Sequence, residues 1–222
     1  MAINAVSLTE KEYLLQGNRL CPGCAVSLAY RHILKAFEGE VIVTVPASCL
    51  TVLHGMYPVT SVTVPCVNTP FATTGASAAG LVAGMKALGK KGLTVLAIAG
   101  DGGTHDIGIQ SLSGAIERRS DFVYICYDNE AYMNTGVQRS SATPEGAWTT
   151  TTPVKEASPG KTGPKKDLVA IALAHHVDYV ATACTSYWND FITKIQKAAA
   201  IEGPALVHAL APCPLGWRFK TE

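Results

Sequence analysis

Apolar runs of strand length alternate along this chain with stretches whose apolar residues recur at helical spacing. The pattern predicts helices over 24–37, 72–88, 107–119, 168–175 and 188–201. It predicts strands over 41–45, 61–66, 93–99, 121–127, 178–182 and 205–210. Regular alternation of the two argues for βαβ crossovers, hence an α/β fold whose mostly parallel sheet carries helices on both faces. Strand order is not encoded in that pattern. The rhythm breaks over 132–166, a stretch rich in Thr, Ser, Pro and Gly that contains Trp148. A loop this long inside a compact domain is usually functional or disordered. Its opening, Asn134-Thr135-Gly136, is expected to be ordered, and its later half, 149–166, to be mobile or covered by a partner.

The chain has 222 residues, of which 48% are hydrophobic, so it can bury a substantial core. We expect a single domain over 1–222. The formal charge is +1 with no basic cluster or acidic tail, which gives no sign of nucleic acid or an anionic membrane as partner. Residues 1–20 lack a charged head followed by an apolar stretch, and the apolar segment 75–88 is short and interrupted by Gly80 and Gly84. Neither a signal peptide nor a membrane span is expected. Seven cysteines, an odd number without an export signal, fit a reducing cytoplasm better than a disulfide framework.

The sharpest chemical signal is Gly100-Asp101-Gly102-Gly103, directly after the apolar run 93–99, followed 28 residues past Asp101 by Asn129 in Asp128-Asn129-Glu130-Ala131. Asp101 offers a hard carboxylate oxygen and Asn129 an amide oxygen, the ligand types Mg²⁺ takes when its other positions go to diphosphate oxygens and water. Gly102 and Gly103 let a backbone approach phosphates without a Cβ in the way. The helix and strand expected between the two segments place both at carboxyl ends of strands in one parallel sheet, where open α/β sheets bind ligands.

Cysteine forms the second constellation. Cys21-Pro22-Gly23-Cys24 opens a helix, Cys49 follows 25 residues after Cys24, and Cys213 stands between Pro212 and Pro214. Four thiolates from three loops suit a four-iron cluster, a CxxC equally suits half a zinc site, and at a helix start it also suits a thiol–disulfide pair. The cysteines alone leave all three open. Cys66, Cys126 and Cys184 lie in apolar runs and read as core thiols.

The string Gly100-Asp101-Gly102-Gly103-Thr104-His105-Asp106-Ile107-Gly108, with Asp128-Asn129-Glu130-Ala131-Tyr132-Met133-Asn134-Thr135-Gly136, resembles the thiamin diphosphate motif. More narrowly it resembles the β subunit of the 2-oxoacid:ferredoxin oxidoreductases, nearest the pyruvate type. The resemblance covers about 17–217 and implies a thiamin diphosphate-binding fold. It implies Mg²⁺ on Asp101, Asn129 and the Ala131 carbonyl, and cofactor contacts at Gly100, Gly102, Gly103, Asn134 and Thr135. Ser48 and Cys49 would lie by the thiazolium ring, with an ordinary turn serine as the other reading of Ser48. Cys21, Cys24, Cys49 and Cys213 would ligate a [4Fe-4S] cluster.

The resemblance further implies an enzyme that oxidatively decarboxylates a 2-oxoacid. Pyruvate is the first choice, and oxalate or another short 2-oxoacid the next. Electrons would pass to ferredoxin and the acyl group usually to coenzyme A, with α and further γ/δ subunits in the complex. The glutamate that activates the cofactor has no counterpart here and is expected from the α subunit. The rival is half of a non-oxidative thiamin-dependent decarboxylase or carboligase with zinc-bound cysteines. Relatives usually continue well past the fourth cysteine, so a C-terminal arm is expected to be absent or not included. Ala25 and Ala47-Ser48 depart from commoner glycine-containing versions. Lys155, Lys161, Lys165 and Lys166 read as a solvated loop face, with an acidic electron acceptor as the alternative, and no role is expected for His54 or His105 beyond hydrogen bonding.

Overall fold

The computed structural model describes residues 8–221; residues 1–7 and 222, which the expected domain includes, lie outside the described residues. Six parallel strands form one sheet in the order β2-β1-β3-β4-β8-β7: β1 (Val41–Pro46), β2 (Cys66–Thr69), β3 (Thr94–Gly100), β4 (Val123–Asp128), β7 (Tyr179–Cys184) and β8 (Ala205–Leu210). A two-strand ribbon, β5 (Val154–Lys155) with β6 (Ser158–Pro159), sits inside the long loop.

Helices α1 (Ala25–Ala36) and α6 (Trp188–Ala199) cover one face of the sheet, and α3 (Thr74–Ala87), α4 (Ile109–Glu117) and α5 (Leu168–Ala174) cover the other. Strand residues sort by parity: Leu96 and Ile98 pack with Tyr30, Ile33 and Phe191, while Val95, Ala97 and Ala99 pack with Leu112, Ile116 and Leu168. Two buried faces explain why these strands read as continuous apolar runs. The chain leaves β1 toward the edge strand β2, then crosses back to β3, so the topology reverses between β1 and β3 and opens a crevice at their carboxyl ends.

Three departures from the sequence pattern have physical causes. The expected strand 61–66 contains a true alternation, since Val62 and Val64 are buried, but those residues cap the core beside Tyr13 and Leu14 through one antiparallel bridge, and sheet pairing begins only at Cys66. Helix α2 (Cys49–His54) is short enough to have read as loop; the Ser48 hydroxyl caps it by accepting from Leu50 N–H at 3.2 Å. Between β3 and α4 the chain makes a π-helical turn, Gly102–Asp106.

The loop 132–166 is bound down by lysines, which corrects both readings of three of them. Lys161 is 3% exposed and donates to the carbonyls of Thr143 (2.6 Å), Pro164 (2.9 Å) and Ser141 (3.3 Å). Lys165 pairs with Asp128 at 2.7 Å and Glu130 at 2.8 Å, and Lys166 donates to the His105 carbonyl. Only Lys155 of the four is exposed. Lys161→Met leaves buried carbonyls without a donor and is expected to cost about 2 kcal/mol, measured by denaturant unfolding, with faster proteolytic nicking inside 140–166.

His54 is buried at 1% exposure with Nε2 2.9 Å from the Tyr30 hydroxyl, and burial pushes its pKa down to about 4. A depressed folded pKa means this contribution is complete above about pH 6.5 and is lost as pH falls toward 4, a change of order 3 kcal/mol. His54→Gln is expected to flatten that acid limb in unfolding curves taken between pH 7 and 4.

Candidate cofactor and metal site

The carboxyl ends of β1, β3 and β4 meet around a cleft of about 420 Å³ lined by Ser48 and Cys49 from the first, Gly100–Gly103 from the second, and Asn129, Ala131, Asn134 and Thr135 beyond the third. That volume lies in the range of small-molecule sites. Phe71, Val52, Tyr127 and Tyr132 supply its apolar walls. All ten residues expected to contact the cofactor therefore border one cavity.

At its base, one terminal atom of the Asn129 amide stands 2.8 Å from the Ala131 carbonyl oxygen and 3.0 Å from Asp101 Oδ1. With nitrogen there, the amide donates to both. With oxygen there, three oxygens share a face with no donor among them. Octahedral Mg²⁺ with oxygens at 2.0–2.1 Å places neighbouring ligands about 2.9 Å apart, the same spacing. The donor set thus fits the hard cation.

Asp101 is 1% exposed, and its carboxyl is pushed up to about 8, first by burial and then by the negative charge of Asp128. Only Oδ2 has a hydroxyl partner, Ser140 at 2.5 Å. A carboxylate in that position is stabilised by a cation. Lys165 is bound at 2.7 Å to Asp128, which also pairs with His208 Nε2 at 2.8 Å and accepts from Glu130 N–H at 2.9 Å. These contacts hold Asp128 below the usual carboxylate range despite its burial. His105, Asp128 and His208 have ligating atoms within 4.8 Å of one another, but the Lys165 ammonium already supplies the positive charge there.

The glycines act partly otherwise than expected. A Cβ on Gly102 would lie 2.2 Å from the Tyr132 ring, so that position is fixed by a packed tyrosine. A Cβ on Gly108 would lie 2.0 Å from the Gly103 carbonyl oxygen, which is how the π-helical turn closes so tightly. The Tyr132 hydroxyl donates to Asp106 at 2.7 Å, tying the segment after β4 to that turn. Thr143 donates to the Glu130 carbonyl and braces the same segment. Thr135 is exposed with its hydroxyl donating to Gln138, and Ser48 donates to the Pro46 carbonyl at 2.8 Å.

Beside the cleft, Cys24 caps α1, Cys49 starts α2, and Cys213 caps a last turn, α7 (Pro214–Trp217). Burial pushes the Cys24 thiol up, opposed by the nearby Ser27 and Val26 backbone amides at the start of α1. Cys49 is pushed up to about 11, by burial and then by Cys24, with Asn134 drawing it down and Cys213 and Cys21 adding repulsion. Each of these four sulfurs is thus within electrostatic reach of the group. Among the described residues no three of them lie within 4.8 Å of one another. Cys126 is buried in the core, whereas Cys66 and Cys184 are half-buried.

Sequence reasoning gave no role here to Ser140, Asp128 or Trp217, and read Lys165 as part of a solvated loop face. Asp128 adjoins Asn129 and could have been flagged as a second acid at a strand end. The other three come from distant segments with no spacing signal.

The family described as thiamine pyrophosphate enzyme, C-terminal TPP binding domain, matches residues 47–209. The ketoisovalerate oxidoreductase subunit VorB of Pyrococcus horikoshii is 49% identical over 217 residues, 96% of this chain and 70% of that one. The pyruvate synthase subunit PorB of Methanocaldococcus jannaschii is 48% identical over 219 residues, 96% of this chain and 74% of that one. A 2-oxoglutarate:ferredoxin oxidoreductase from Magnetococcus marinus shares the fold at TM-score 0.75 and 22% identity, over 93% of this chain and 66% of that one. Among the described residues no helix is long and apolar enough to cross a membrane.

Proposed function

Because the chain belongs to the β subunits of the 2-oxoacid:ferredoxin oxidoreductases, within the thiamine pyrophosphate enzymes, we propose that it carries Mg²⁺-thiamin diphosphate and a [4Fe-4S] cluster side by side. Together with α and further subunits it oxidatively decarboxylates a short 2-oxoacid and passes single electrons to ferredoxin, with coenzyme A as acyl acceptor. The observation that carries this reading is the three-oxygen face of Asp101, Asn129 and Ala131 at one end of a cleft that Cys49 also borders.

Asp101, Asn129 and the Ala131 carbonyl hold the metal. Gly100, Gly102, Gly103, Asn134 and Thr135 border the diphosphate, and Ser48 borders the ring. Cys21, Cys24, Cys49 and Cys213 hold the iron. When bound, thiamin diphosphate supplies the electron sink for decarboxylation and the cluster takes electrons one at a time. Lys165 and His208 keep Asp128 ionised, and its charge beside Asp101 adds to the negative potential that a metal would meet there. Phe71, Val52, Tyr127 and Tyr132 exclude water, which strengthens every charge interaction in the cleft.

Among the described residues the only carboxylate bordering the cleft is Asp101, and it serves the metal. The acid that activates the aminopyrimidine must then come from the partner subunit. The isolated chain is expected to show no 2-oxoacid-dependent dye reduction, and the assembled complex to show it; turnover by the purified single chain would overturn the shared-site reading. The relatives' names include both ketoisovalerate and pyruvate. Pyruvate remains the first choice and kcat/KM for the two acids decides it, with oxalate behind both.

A further inference from the structure

The segment 129–135 belongs to both halves of the site. Its inner side borders the cleft through Asn129, Ala131, Met133 and Asn134. Its outer side meets α7: Trp217 Nε1 donates to the Asn129 carbonyl at 3.2 Å, and a Cβ on Gly216 would lie 2.4 Å from the Met133 sulfur. Helix α7 is itself built on Cys213, which accepts from Gly216 N–H at its sulfur (3.4 Å) and from Trp217 N–H at its carbonyl (2.9 Å). Trp217 is therefore bonded through its backbone to a cysteine of the thiol group and through its ring to a residue of the three-oxygen face.

Bulk packing does not account for this indole, because Trp217 is 42% exposed. Its fixed feature is the polar edge, the part of a tryptophan that seeks a partner when one side is apolar and the other wet. Resting on the functional reading above, we propose that Trp217 is a positioning residue that couples the two centres, its indole N–H holding the Asn129 carbonyl so that the metal–diphosphate loop and the surroundings of Cys213 move as one unit. Outer partners of this kind set ligand orientation and tune metal centres.

The test uses the anaerobically purified complex carrying Trp217→Phe, which keeps a ring and removes the N–H. Iron content should match the wild type, while the apparent Kd for Mg²⁺-thiamin diphosphate rises about two- to tenfold, the worth of one hydrogen bond. In the wild type, adding Mg²⁺-thiamin diphosphate should alter the EPR spectrum of the reduced cluster, and in the variant that response should be lost. Equal Kd and equal EPR response in both proteins, or no response in the wild type, overturn the coupling. If Trp217→Phe fails to hold iron, Gly216→Ala probes the neighbouring contact of α7 with Met133 in the same segment, with the indole intact. It should loosen binding, and Met133→Ala in that background should restore it; no effect of Gly216→Ala overturns the proposal. Wild-type complex without iron or thiamin would instead count against the functional reading itself.

Discussion

Asp101→Asn is expected to abolish Mg²⁺-dependent binding of thiamin diphosphate while leaving the cofactor-free fold at least as stable as the wild type. Asparagine keeps the size of the side chain and an acceptor for the Ser140 hydroxyl, but it brings no charge to the metal. A carboxyl raised to about 8 by burial and by Asp128 favours the cofactor-free fold below about pH 4, and that contribution is lost as pH rises through 8. The variant should therefore lack the alkaline loss of stability and melt above the wild type at pH 9 without metal. Titration calorimetry with Mg²⁺-thiamin diphosphate and melting curves across pH 5–9 check both halves. Loss of binding accompanied by a lower melting temperature at every pH would mean that Asp101 is a structural acid.

Cys213→Ser should produce the second large effect. The hard hydroxyl replaces a thiolate that iron prefers, at the N-cap of a helix whose Gly216 N–H points at that sulfur. Iron content should fall well below the wild type, the dithionite-bleachable absorbance near about 400 nm should vanish, and 2-oxoacid-dependent electron transfer should drop at least about 100-fold. Binding of Mg²⁺-thiamin diphosphate should survive in weakened form, because Cys213 does not border the cleft. Cys184→Ser, at a half-exposed thiol of the edge strand, should leave all four readings near wild type and serves as the control.

Much of this was readable in the residues. Gly100-Asp101-Gly102-Gly103 and Asn129 follow strands that are buried on both faces, and such strands announce themselves as apolar runs, so their ends could be located and the motif placed on them. The alternation at Val62 and Val64 was real but answered to the core instead of the sheet, since half-buried caps and edge strands share a two-residue period. Helix α2 is too short to show a helical repeat. Lysines 161, 165 and 166 looked solvated because their acceptors are backbone carbonyls and acids on other segments, which a linear pattern does not display. The Trp217–Asn129 bond joins residues 88 apart, and nothing in local spacing foretells a contact of that range.

The most direct measurement is a metal, sulfide and thiamin count on the anaerobically purified complex, expressed per copy of this chain. The account predicts about four iron and four sulfide on the four cysteines, with one Mg²⁺ and one thiamin diphosphate. A colourless preparation with zinc in place of iron, or with no thiamin diphosphate at all, would contradict it.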